Sequence, residues 1–273
     1  MAGPGSRGYW RSVTERRGNF SNAFAYEGYV GRWSALVAAD FLERLAAPTS
    51  IPWLDLGCGT GVVTAAIGRR GVQEVYGLDP AEGFVLHAAA TVRGRFTVGD
   101  AQRLPFRDGT FGVVVSALVL NFIPDLAAAL AEVHRVLRRG GVAAAYVWDY
   151  AGEMQLMRRF WDAAVVIDPR AAVLDEGRRS TICRPEPLAR AFLEAGFSGI
   201  TTWPIDVPTR FRDFDDYWTP FLGGTGSGPA FAVSLDELRR TALRDRLRAT
   251  LPIAADGTIG LIARAWAVRA VRA

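Results

Sequence analysis

Short strand-like runs alternate with longer helix-like segments through the middle of the chain. The runs cover residues 51–56, 74–78, 95–99, 111–117 and 142–148. Continuous apolar runs such as 111–117 are typical of parallel strands that are buried on both faces. The segments between the runs have the length and the apolar spacing of helices. This alternation predicts an α/β fold with a mostly parallel sheet.

The first run ends in three glycines spaced two residues apart, in the stretch Asp55-Leu56-Gly57-Cys58-Gly59-Thr60-Gly61. A helix-like run, 62–68, follows directly. Such a turn lies at the carboxyl edge of a sheet, where α/β proteins bind ligands. Glycine accepts positive φ angles and lets a ligand approach bare backbone, and the N terminus of the new helix favours an anionic group. The dinucleotide fingerprint would place its third glycine where Val62 stands, so the spelling differs from that fingerprint.

An acid also ends the second strand, about twenty residues past the glycines. Asp79-Pro80 follows the run that ends at Leu78. An acid at this position hydrogen-bonds the hydroxyl groups of a ribose in nucleotide-binding folds. Asp79 also suits the N-cap of a helix that starts at Ala81, but the spacing favours ribose binding.

The third strand closes in the stretch Gly99-Asp100-Ala101-Gln102-Arg103-Leu104-Pro105-Phe106. Together with the two preceding stretches it resembles the motifs of class I S-adenosylmethionine-dependent methyltransferases over about residues 51–149. Within that class it is similar to the ubiquinone/menaquinone-biosynthesis-like group that methylates small molecules. The resemblance implies that Asp100 accepts a hydrogen bond from the adenine amino group and that the backbone of Ala101 faces the ring edge.

The resemblance implies S-adenosyl-L-methionine as the cofactor. It also implies that Arg32, in a segment similar to the family's lid, pairs with the carboxylate of that cofactor, although a surface arginine on an amphipathic helix fits the spacing equally well. The residues expected to bind the cofactor are Arg32, Asp55, Gly57, Cys58, Gly59, Gly61, Asp79, Pro80, Asp100, Ala101, Gln102, Ser116 and Ala117.

The fold expected from this resemblance is a Rossmann-like, doubly wound sheet of seven strands, mostly parallel, with helical cap insertions. The last strand is expected to run antiparallel between strands five and six. We expect one domain over residues 1–273, and its parts are lid helices (1–48), a cofactor-binding core (49–150), cap insertions (151–183 and 212–252) and the rest of the core (184–211 and 253–273). The later elements are predicted as a helix over 126–139 stopped by Gly140-Gly141, strands over 142–148, 200–207 and 258–268, helices over 185–196 and 235–251, and a loop over 223–229.

No strong general base is evident in the sequence. Asn121 stands where relatives often carry histidine, and a neutral amide orients a substrate but does not take a proton at neutral pH. Asn121 suits a helix cap equally well. Asp149 and Tyr150 are weak catalytic candidates at the end of the fifth strand. Further candidates are loop acids, and three tryptophans either face the sulfonium through cation–π attraction or simply pack: Asp213, Asp215 and Asp216; Trp33, Trp148 and Trp218.

Composition narrows the class of protein. The formal net charge is +4, and all of the positive side chains are arginine, so a Schiff-base or P-loop lysine is excluded. Arginines alternate with acids, which makes nucleic acid an improbable partner. Two cysteines and two histidines far apart predict neither a disulfide framework nor a metal site. No apolar segment is long enough to span a membrane, and we expect the cytoplasm.

The sequence therefore predicts methyl transfer to oxygen, nitrogen or carbon of a small organic acceptor by in-line displacement at a sulfonium methyl. It identifies neither the acceptor nor the oligomeric state. Two alternatives remain open. An NAD-dependent oxidoreductase shares the strand, the loop and the ribose acid, but Val62 and the Asp100 stretch disfavour it. A non-catalytic S-adenosylmethionine-binding protein would keep the glycine loop without a substrate pocket, and the long aromatic-rich caps argue weakly against it.

Overall fold

The computed structural model describes residues 32–223 and 226–273 of the chain. The predicted lid segment before residue 32 and the side chain of Arg32 lie outside the described residues. Within the described part, one seven-stranded sheet carries helices and two helical insertions.

The strands are β1 (Trp53–Leu56), β2 (Val75–Asp79), β3 (Arg95–Val98), β4 (Phe111–Ala117), β5 (Leu137–Trp148), β6 (Phe197–Phe211) and β7 (Ile259–Arg272). The helices are α1 (Arg32–Leu45), α2 (Val62–Arg69), α3 (Glu82–Thr91), α4 (Leu126–Val136), α5 (Gln155–Ile167), α6 (Glu176–Arg179), α7 (Pro185–Glu194), α8 (Phe214–Trp218), α9 (Ser227–Ser234) and α10 (Glu237–Thr250). Single 3₁₀ turns lie at Leu120–Phe122, Pro169–Val173 and Thr219–Leu222.

The sheet has the order β3-β2-β1-β4-β5-β7-β6. Strands β1 to β5 are mutually parallel, and β7 runs antiparallel to both β5 and β6. The predicted α/β sheet, with an antiparallel last strand between strands five and six, is confirmed. The strand order reverses between β1 and β4, and such a switch point opens a crevice at the carboxyl edge of the sheet. The glycine loop after β1 lies at this point.

The β6–β7 ribbon continues past the carboxyl end of β5. Trp148, the last residue of β5, pairs with Ala265, whereas β7 keeps pairing with β6 as far as Ile259 opposite Phe211. The chain after β5 covers this extension, because Asp149 N donates to the Arg264 carbonyl (2.9 Å) and Arg264 N donates to the Glu153 carbonyl (3.0 Å). The extension therefore lies beyond the carboxyl end of β5, at the same edge of the sheet as the glycine loop.

The two insertions form a common aromatic core. Phe160 of the first insertion stacks on Phe221 of the second, with ring centroids 4.3 Å apart and planes at 5°. The hydroxyl of the buried Tyr217 donates to the Leu156 carbonyl (3.0 Å). Rings that bury this much apolar area dominate the local packing energy. The two insertions therefore pack against each other, while the division of the chain into lid, core and cap remains a prediction.

The predicted helix over 126–139 ends three residues early, at Val136. Leu137 is fully buried and pairs with Phe111 as a strand residue. Tertiary pairing thus overrides the helical preference of this turn, and Gly140-Gly141 is not the stop. Gly140 has φ of 73° and lies in a bulge, where the register shifts between Phe111 and Val113.

Other predicted bounds were also wrong. The last two strands are longer than predicted, 197–211 and 259–272, because each continues along the other outside the rest of the sheet. The predicted loop over 223–229 is partly helical, since α9 begins at Ser227. Residues 224 and 225 of that loop lie outside the described residues.

Candidate cofactor-binding site

The three glycines after β1 adopt the left-handed backbone that the turn requires. The φ angles of Gly57, Gly59 and Gly61 are 77°, 52° and 91°. A Cβ on Gly57 would lie 2.4 Å from a methyl of Val119, so this glycine allows the loop to pack against the segment after β4. A Cβ on Gly59 would meet nothing within 4 Å. The middle of the loop therefore faces open space, as a ligand site requires.

Asp79 joins the end of β2 to the glycine loop. Its carboxylate is buried, and it accepts from Gly59 N (3.0 Å) and from Ala81 N (2.9 Å). Burial raises the pKa of Asp79, and these two hydrogen bonds act in the opposite direction. The alternative role as N-cap was wrong, because α3 begins at Glu82 and its cap position is Ala81. Pro80 lies between Asp79 and Ala81 in the chain.

Asp55 is a second buried carboxyl group beside the same loop. It is fully buried, and Oδ2 accepts from the Thr64 hydroxyl (2.6 Å). Its other oxygen, Oδ1, is buried and has no hydrogen-bond partner among the described residues. Burial raises the pKa of Asp55 to about 7, and the nearby Asp79 charge adds to this rise. A buried carboxylate oxygen without a donor is costly, so Oδ1 fits a donor group on a bound ligand.

Thr64 is a site residue that sequence reasoning missed. It lies in the first turn of α2, is fully buried, and fixes Asp55. The hydroxyl nine residues after an acid could have suggested such a contact. Cys58 is also buried beside these acids, and burial together with the charges of Asp55 and Asp79 raises the pKa of its thiol. Its thiol therefore stays neutral at physiological pH.

Hydrogen bonds with two residues of α4 fix the loop after β3. Leu104 N donates to Glu132 of α4 (2.7 Å), and Arg135 donates to the carbonyls of Leu104 (3.1 Å) and Phe106 (2.8 Å). Arg135 also forms ion pairs with Glu132 and Asp108, at 2.7 Å each. Strong hydrogen bonding to Arg135 lowers the pKa of Glu132. These contacts fix the exit of the Asp100 stretch on α4.

At the start of this loop, Asp100 is exposed, and Ala101 and Gln102 are half-buried. Asp100 accepts from the backbone N–H of Gln102 (2.9 Å). The predicted adenine-binding residues therefore lie one strand beyond Asp79 along the same carboxyl edge, since β3 pairs in parallel with β2. Neighbouring strand ends bring the two acids to one edge of the crevice.

The end of β4 lies beside the glycine loop at the carboxyl edge of the sheet, since β4 pairs in parallel with β1. The buried Ser116 donates its hydroxyl to the Leu56 carbonyl (3.0 Å), which ties β4 to β1. Leu118, directly after Ala117, has φ of 61°. A non-glycine residue at positive φ stores strain that the surrounding structure must hold, and such residues cluster at functional sites. Here the Leu118 N–H is bound to the Tyr146 carbonyl (2.8 Å).

Asn121 lies in the 3₁₀ turn that follows β4 and is half-buried. Its alternative role as helix cap was wrong: the N-cap of α4 is Asp125, whose carboxylate accepts from Ala128 N (2.9 Å). Among the described residues, Asn121 has no side-chain hydrogen bond. Its amide is thus available to orient a ligand.

The weak catalytic candidates at the end of β5 are buried. Asp149 accepts from Gly152 N (3.0 Å) with Oδ1 and from Glu153 N (2.9 Å) with Oδ2, so both oxygens hold the turn after β5. A Cβ on Gly152 would lie 2.5 Å from that carboxylate. Tyr150 follows, 7% exposed. This arrangement gives Asp149 a structural task.

The acids of the second insertion also serve local structure. Asp213 caps α8 by accepting from Asp216 N (2.8 Å), and Asp216 accepts from Arg212 N (3.1 Å). Asp215 pairs with Arg244 on the surface (3.5 Å). The three tryptophans considered for cation–π contact are buried, at most 6% exposed: Trp33, Trp148 and Trp218.

The described residues form no metal-binding site. Within residues 32–223 and 226–273, no three His, Cys, Asp or Glu side chains come together as a metal site. His134 packs edge-on against Phe197, with centroids 5.1 Å apart, and burial lowers its pKa. In the same part of the chain, no helix is long and apolar enough to cross a membrane.

The middle of the chain is similar to known methyltransferases. Residues 54–145 match the family described as a methyltransferase domain. A 2-methyl-6-phytyl-1,4-hydroquinone methyltransferase of Synechocystis is 28% identical over 191 residues, which is 68% of this chain and 58% of that protein. The human mitochondrial arginine-hydroxylase NDUFAF5 is 34% identical over 90 residues, 33% of this chain and 26% of that protein.

Solved structures match in fold. The crystal structure of a putative methyltransferase from Bacillus halodurans superposes with a TM-score of 0.57 at 17% identity, covering 86% of this chain and 98% of that one. Residues 54–145, which contain the glycine loop, Asp79 and Asp100, thus match a methyltransferase domain, as the motifs predicted. The chain spans between about a quarter and three fifths of the length of the curated relatives named above.

Proposed function

We propose that this chain transfers a methyl group from S-adenosylmethionine to oxygen, nitrogen or carbon of a small organic acceptor. One observation carries the proposal. Two buried carboxyl groups, Asp55 and Asp79, flank a left-handed glycine loop, and Asp79 fixes that loop through Gly59 N (3.0 Å). This loop, at the switch point of the sheet, is where a nucleotide-like ligand fits.

The residues present fit the cofactor at several points. We propose that Asp79 accepts from ribose hydroxyls and that Asp100, with the Ala101 backbone, binds adenine. We propose that Oδ1 of Asp55 accepts from the cofactor's ammonium group, because this oxygen is buried and has no donor among the described residues. Gly59 leaves open space in front of the loop. Arg32 stays a proposed partner of the cofactor carboxylate.

The further residues proposed to surround the cofactor supply backbone and walls: Gly57, Cys58, Gly61, Pro80, Gln102, Ser116 and Ala117.

When bound, this cofactor supplies a methyl group on a sulfonium, and its leaving group is a neutral thioether. The protein therefore has to hold and align the reacting groups rather than supply an acid, and alignment alone contributes a large share of such a rate enhancement. Asn121 lies in the 3₁₀ turn that follows the strained residue Leu118, and we propose that its amide orients the acceptor. Tyr150 and Asp149 remain weak candidates for proton transfer, Asp149 the weaker because both its oxygens accept backbone N–H groups.

Acceptor and compartment are also proposals. The name of the Synechocystis relative makes a prenylated hydroquinone the first acceptor to assay. We propose the cytoplasm, because Cys58 and Cys183 are both buried free thiols, which suits a reducing compartment. Nucleic acid is not proposed as a partner, since many arginines pair with acids, as Arg264 does with Asp206 (2.6 Å).

Calorimetric titration tests the proposal, with S-adenosylmethionine, S-adenosylhomocysteine and NADH as ligands. We expect micromolar binding of the two adenosyl ligands, no binding of NADH, and a loss of affinity of about tenfold or more in Asp79→Ala, because a charged hydrogen-bond acceptor is removed. Asp245→Ala, at an exposed position on α10, is the matched control and should bind like the parent protein.

The reaction itself is tested by the mass of the product after incubation with candidate acceptors. A gain of one methyl group supports the proposal. A gain of one oxygen atom would point instead to hydroxylation, the activity in the name of the human relative. Binding of NADH alone would favour hydride transfer, and binding without any turnover would favour a non-catalytic role.

A further inference from the structure

Two buried polar groups on one face of the sheet have no hydrogen-bond partner within residues 32–223 and 226–273. They are the indole N–H of Trp148, at the end of β5, and the hydroxyl of Thr209, on β6. Trp148 is 1% exposed, and Thr209 is fully buried. A buried donor without an acceptor is costly, and native structures pair the great majority of buried polar groups. Both groups therefore indicate a partner that the described part of the chain does not supply.

The two side chains lie on the face of the sheet that α1 covers. Phe41 of α1 contacts Tyr146 of β5 edge-on, with ring centroids 4.9 Å apart, and Trp148 follows Tyr146 by two residues. On β6, Trp203 stacks on the same Phe41, with centroids 6.2 Å apart, and Thr209 follows Trp203 by six residues. Side chains an even number of residues apart along a strand share a face. The two unpartnered groups therefore face the same side of the sheet.

The strand residues between the two groups on this face are apolar. Trp148 pairs with Ala265 of β7, and Thr209 pairs with Leu261, four residues away along β7. Four residues of a strand span roughly 13 Å. The side chains at the intervening positions on this face carry no polar atom: Ile205, Val207 and Ala263. The β5–β7–β6 face is thus an elongated apolar surface with one hydrogen-bonding group near each end.

The Trp148 end of this face adjoins the turn that carries Asn121. Leu118 N donates to the Tyr146 carbonyl (2.8 Å), so the segment after β4 passes beside β5 two residues before Trp148. Asn121, which we propose orients the acceptor, lies three residues after Leu118. An acceptor that reaches Asn121 would therefore lie beside Trp148 at one end and extend along the β6–β7 ribbon.

We propose that the β5–β7–β6 face binds the methyl acceptor, and that this acceptor is an elongated apolar molecule with an oxygen atom that accepts from Trp148. The inference rests on the proposed function. An indole N–H only donates, so its partner carries a lone pair, as the oxygen of a hydroxyl or carbonyl group does, and an ammonium group does not fit. The hydroxyl of Thr209, which both donates and accepts, binds a second polar group at the far end.

The indole N–H resonances of the ¹⁵N-labelled protein, with S-adenosylhomocysteine bound, test this inference. The probe is 4,4′-dihydroxybiphenyl, a rigid apolar rod with a hydroxyl group at each end. The resonance of Trp148, assigned by its loss in Trp148→Phe, should move downfield as the probe is added. 4,4′-Bis(aminomethyl)biphenyl, which has an ammonium group at each end, should not move it downfield. Trp53 is the internal control, because its N–H already donates to the Pro48 carbonyl (2.9 Å), and its resonance should stay in place.

Calorimetry with the same probe tests the two contacts separately. Trp148→Phe and Thr209→Val should each bind 4,4′-dihydroxybiphenyl roughly three- to tenfold more weakly than the parent protein, as the loss of one neutral hydrogen bond predicts. Both should bind S-adenosylhomocysteine as the parent does. Trp53→Phe is the matched control for the loss of an indole and should keep the parental affinity for the probe. It should also lose more thermal stability than Trp148→Phe, because only Trp53 has a partner within the described chain to lose.

An unmoved Trp148 resonance would overturn the inference, and so would parental affinity for the probe in either Trp148→Phe or Thr209→Val. The proposed function would survive those results as long as S-adenosylhomocysteine binds. A parent protein that does not bind S-adenosylhomocysteine would instead overturn the proposed function, and this inference with it.

Discussion

The region around the glycine loop and the two helical insertions are stabilised by different interactions. Around the glycine loop, buried or strand-end carboxylates bind backbone N–H groups and hydroxyls that lie close by, as Asp79 does with Gly59 and Ala81. In the cap, aromatic rings from two separate insertions pack face to face, as Phe160 and Phe221 do at 4.3 Å.

This difference implies that the two halves respond differently to substitution. Polar groups at strand ends present charge and lone pairs to a ligand, so their loss should reduce binding more than folding. Buried rings contribute mainly transfer and packing free energy, so their loss should reduce stability first. The predictions below test this separation, beginning with the aromatic core of the two insertions.

Removal of one central ring of the cap should give the largest loss of stability. Phe160 is fully buried and contacts the rings of Trp161, Phe221 and Phe231. Phe160→Ala should lower the free energy of unfolding by about 3–5 kcal/mol, because it removes apolar burial and leaves a cavity. Urea unfolding followed by far-UV circular dichroism measures this change.

The matched control is Val173→Ala, at a cap position that is 70% exposed, and it should change stability by less than about 0.5 kcal/mol. If the two halves are separable, Phe160→Ala should still bind S-adenosylhomocysteine below the unfolding transition. A loss of stability under about 1 kcal/mol for Phe160→Ala would contradict the view that this ring organises the cap.

The glycine loop separates binding from stability within one motif. Gly57→Ala places a methyl 2.4 Å from Val119, whereas Gly59→Ala places one in open space, both at positive φ. Each should lose about 1–2 kcal/mol from the left-handed backbone, and Gly57→Ala more, because Val119 must move. Gly59→Ala should show the larger loss of cofactor affinity relative to its loss of stability.

Calorimetry with S-adenosylhomocysteine and thermal unfolding of the same two proteins measure these effects. Equal affinity of Gly59→Ala and the parent protein would show that the ligand does not lie over the middle of the loop. Gly71→Ala is a useful control, since Gly71 also has positive φ (92°) and open space but lies at the opposite, amino-terminal edge of the sheet.

The parts of the fold that the sequence predicts well are those whose cause is local. Each glycine of the loop and each acid at a strand end depends on the backbone at its own position. Their places in the fold could therefore be predicted from short stretches of sequence, as for Gly57, Gly59 and Gly61. The antiparallel last strand was inferred from the family resemblance and is confirmed by the pairing of β7 with β5 and β6.

The parts that the sequence did not predict depend on distant partners. Leu137 leaves the helix because Phe111 pairs with it, and β6 and β7 lengthen each other beyond the sheet. Thr64 and Gln102 acquire their contacts only when strand ends meet. Gly112 in β4 has a packing reason that needed the structure, since a Cβ there would lie 2.4 Å from the Ile51 side chain.

The raised pKa of Asp55 should make stability fall with rising pH. Folding raises this pKa from 3.8 to about 7 through burial. Between these two values the unfolded chain releases a proton that the folded protein still holds, so the folded state loses stability as pH rises, by up to about 1.4 kcal/mol per pH unit, until the loss is complete above about pH 7.

Asp55→Asn removes this ionisation and leaves an amide oxygen that can accept from Thr64. Its stability relative to the parent protein should therefore rise from about pH 4 to pH 7 and then stay level, as measured by urea unfolding across that range. A parallel pH dependence of the two proteins would show that Asp55 ionises normally. Cofactor affinity should nevertheless fall in the variant, since the proposed ammonium partner loses its charge.

The smallest effect is expected at Asp149, and it decides between a structural and a catalytic carboxylate. Asp149→Asn keeps one acceptor oxygen but places an amide group against the N–H of Gly152 or Glu153, so stability should fall by about 1 kcal/mol. If the role is structural, the turnover number should change less than about threefold and its pH profile should keep its shape. A general base would instead be worth about 10²–10⁴-fold in rate, and its loss would remove the acidic limb of the profile. Steady-state rates of the parent and variant proteins from pH 5 to pH 9, measured with the same acceptor, distinguish the two roles because only a proton-transferring group moves the profile.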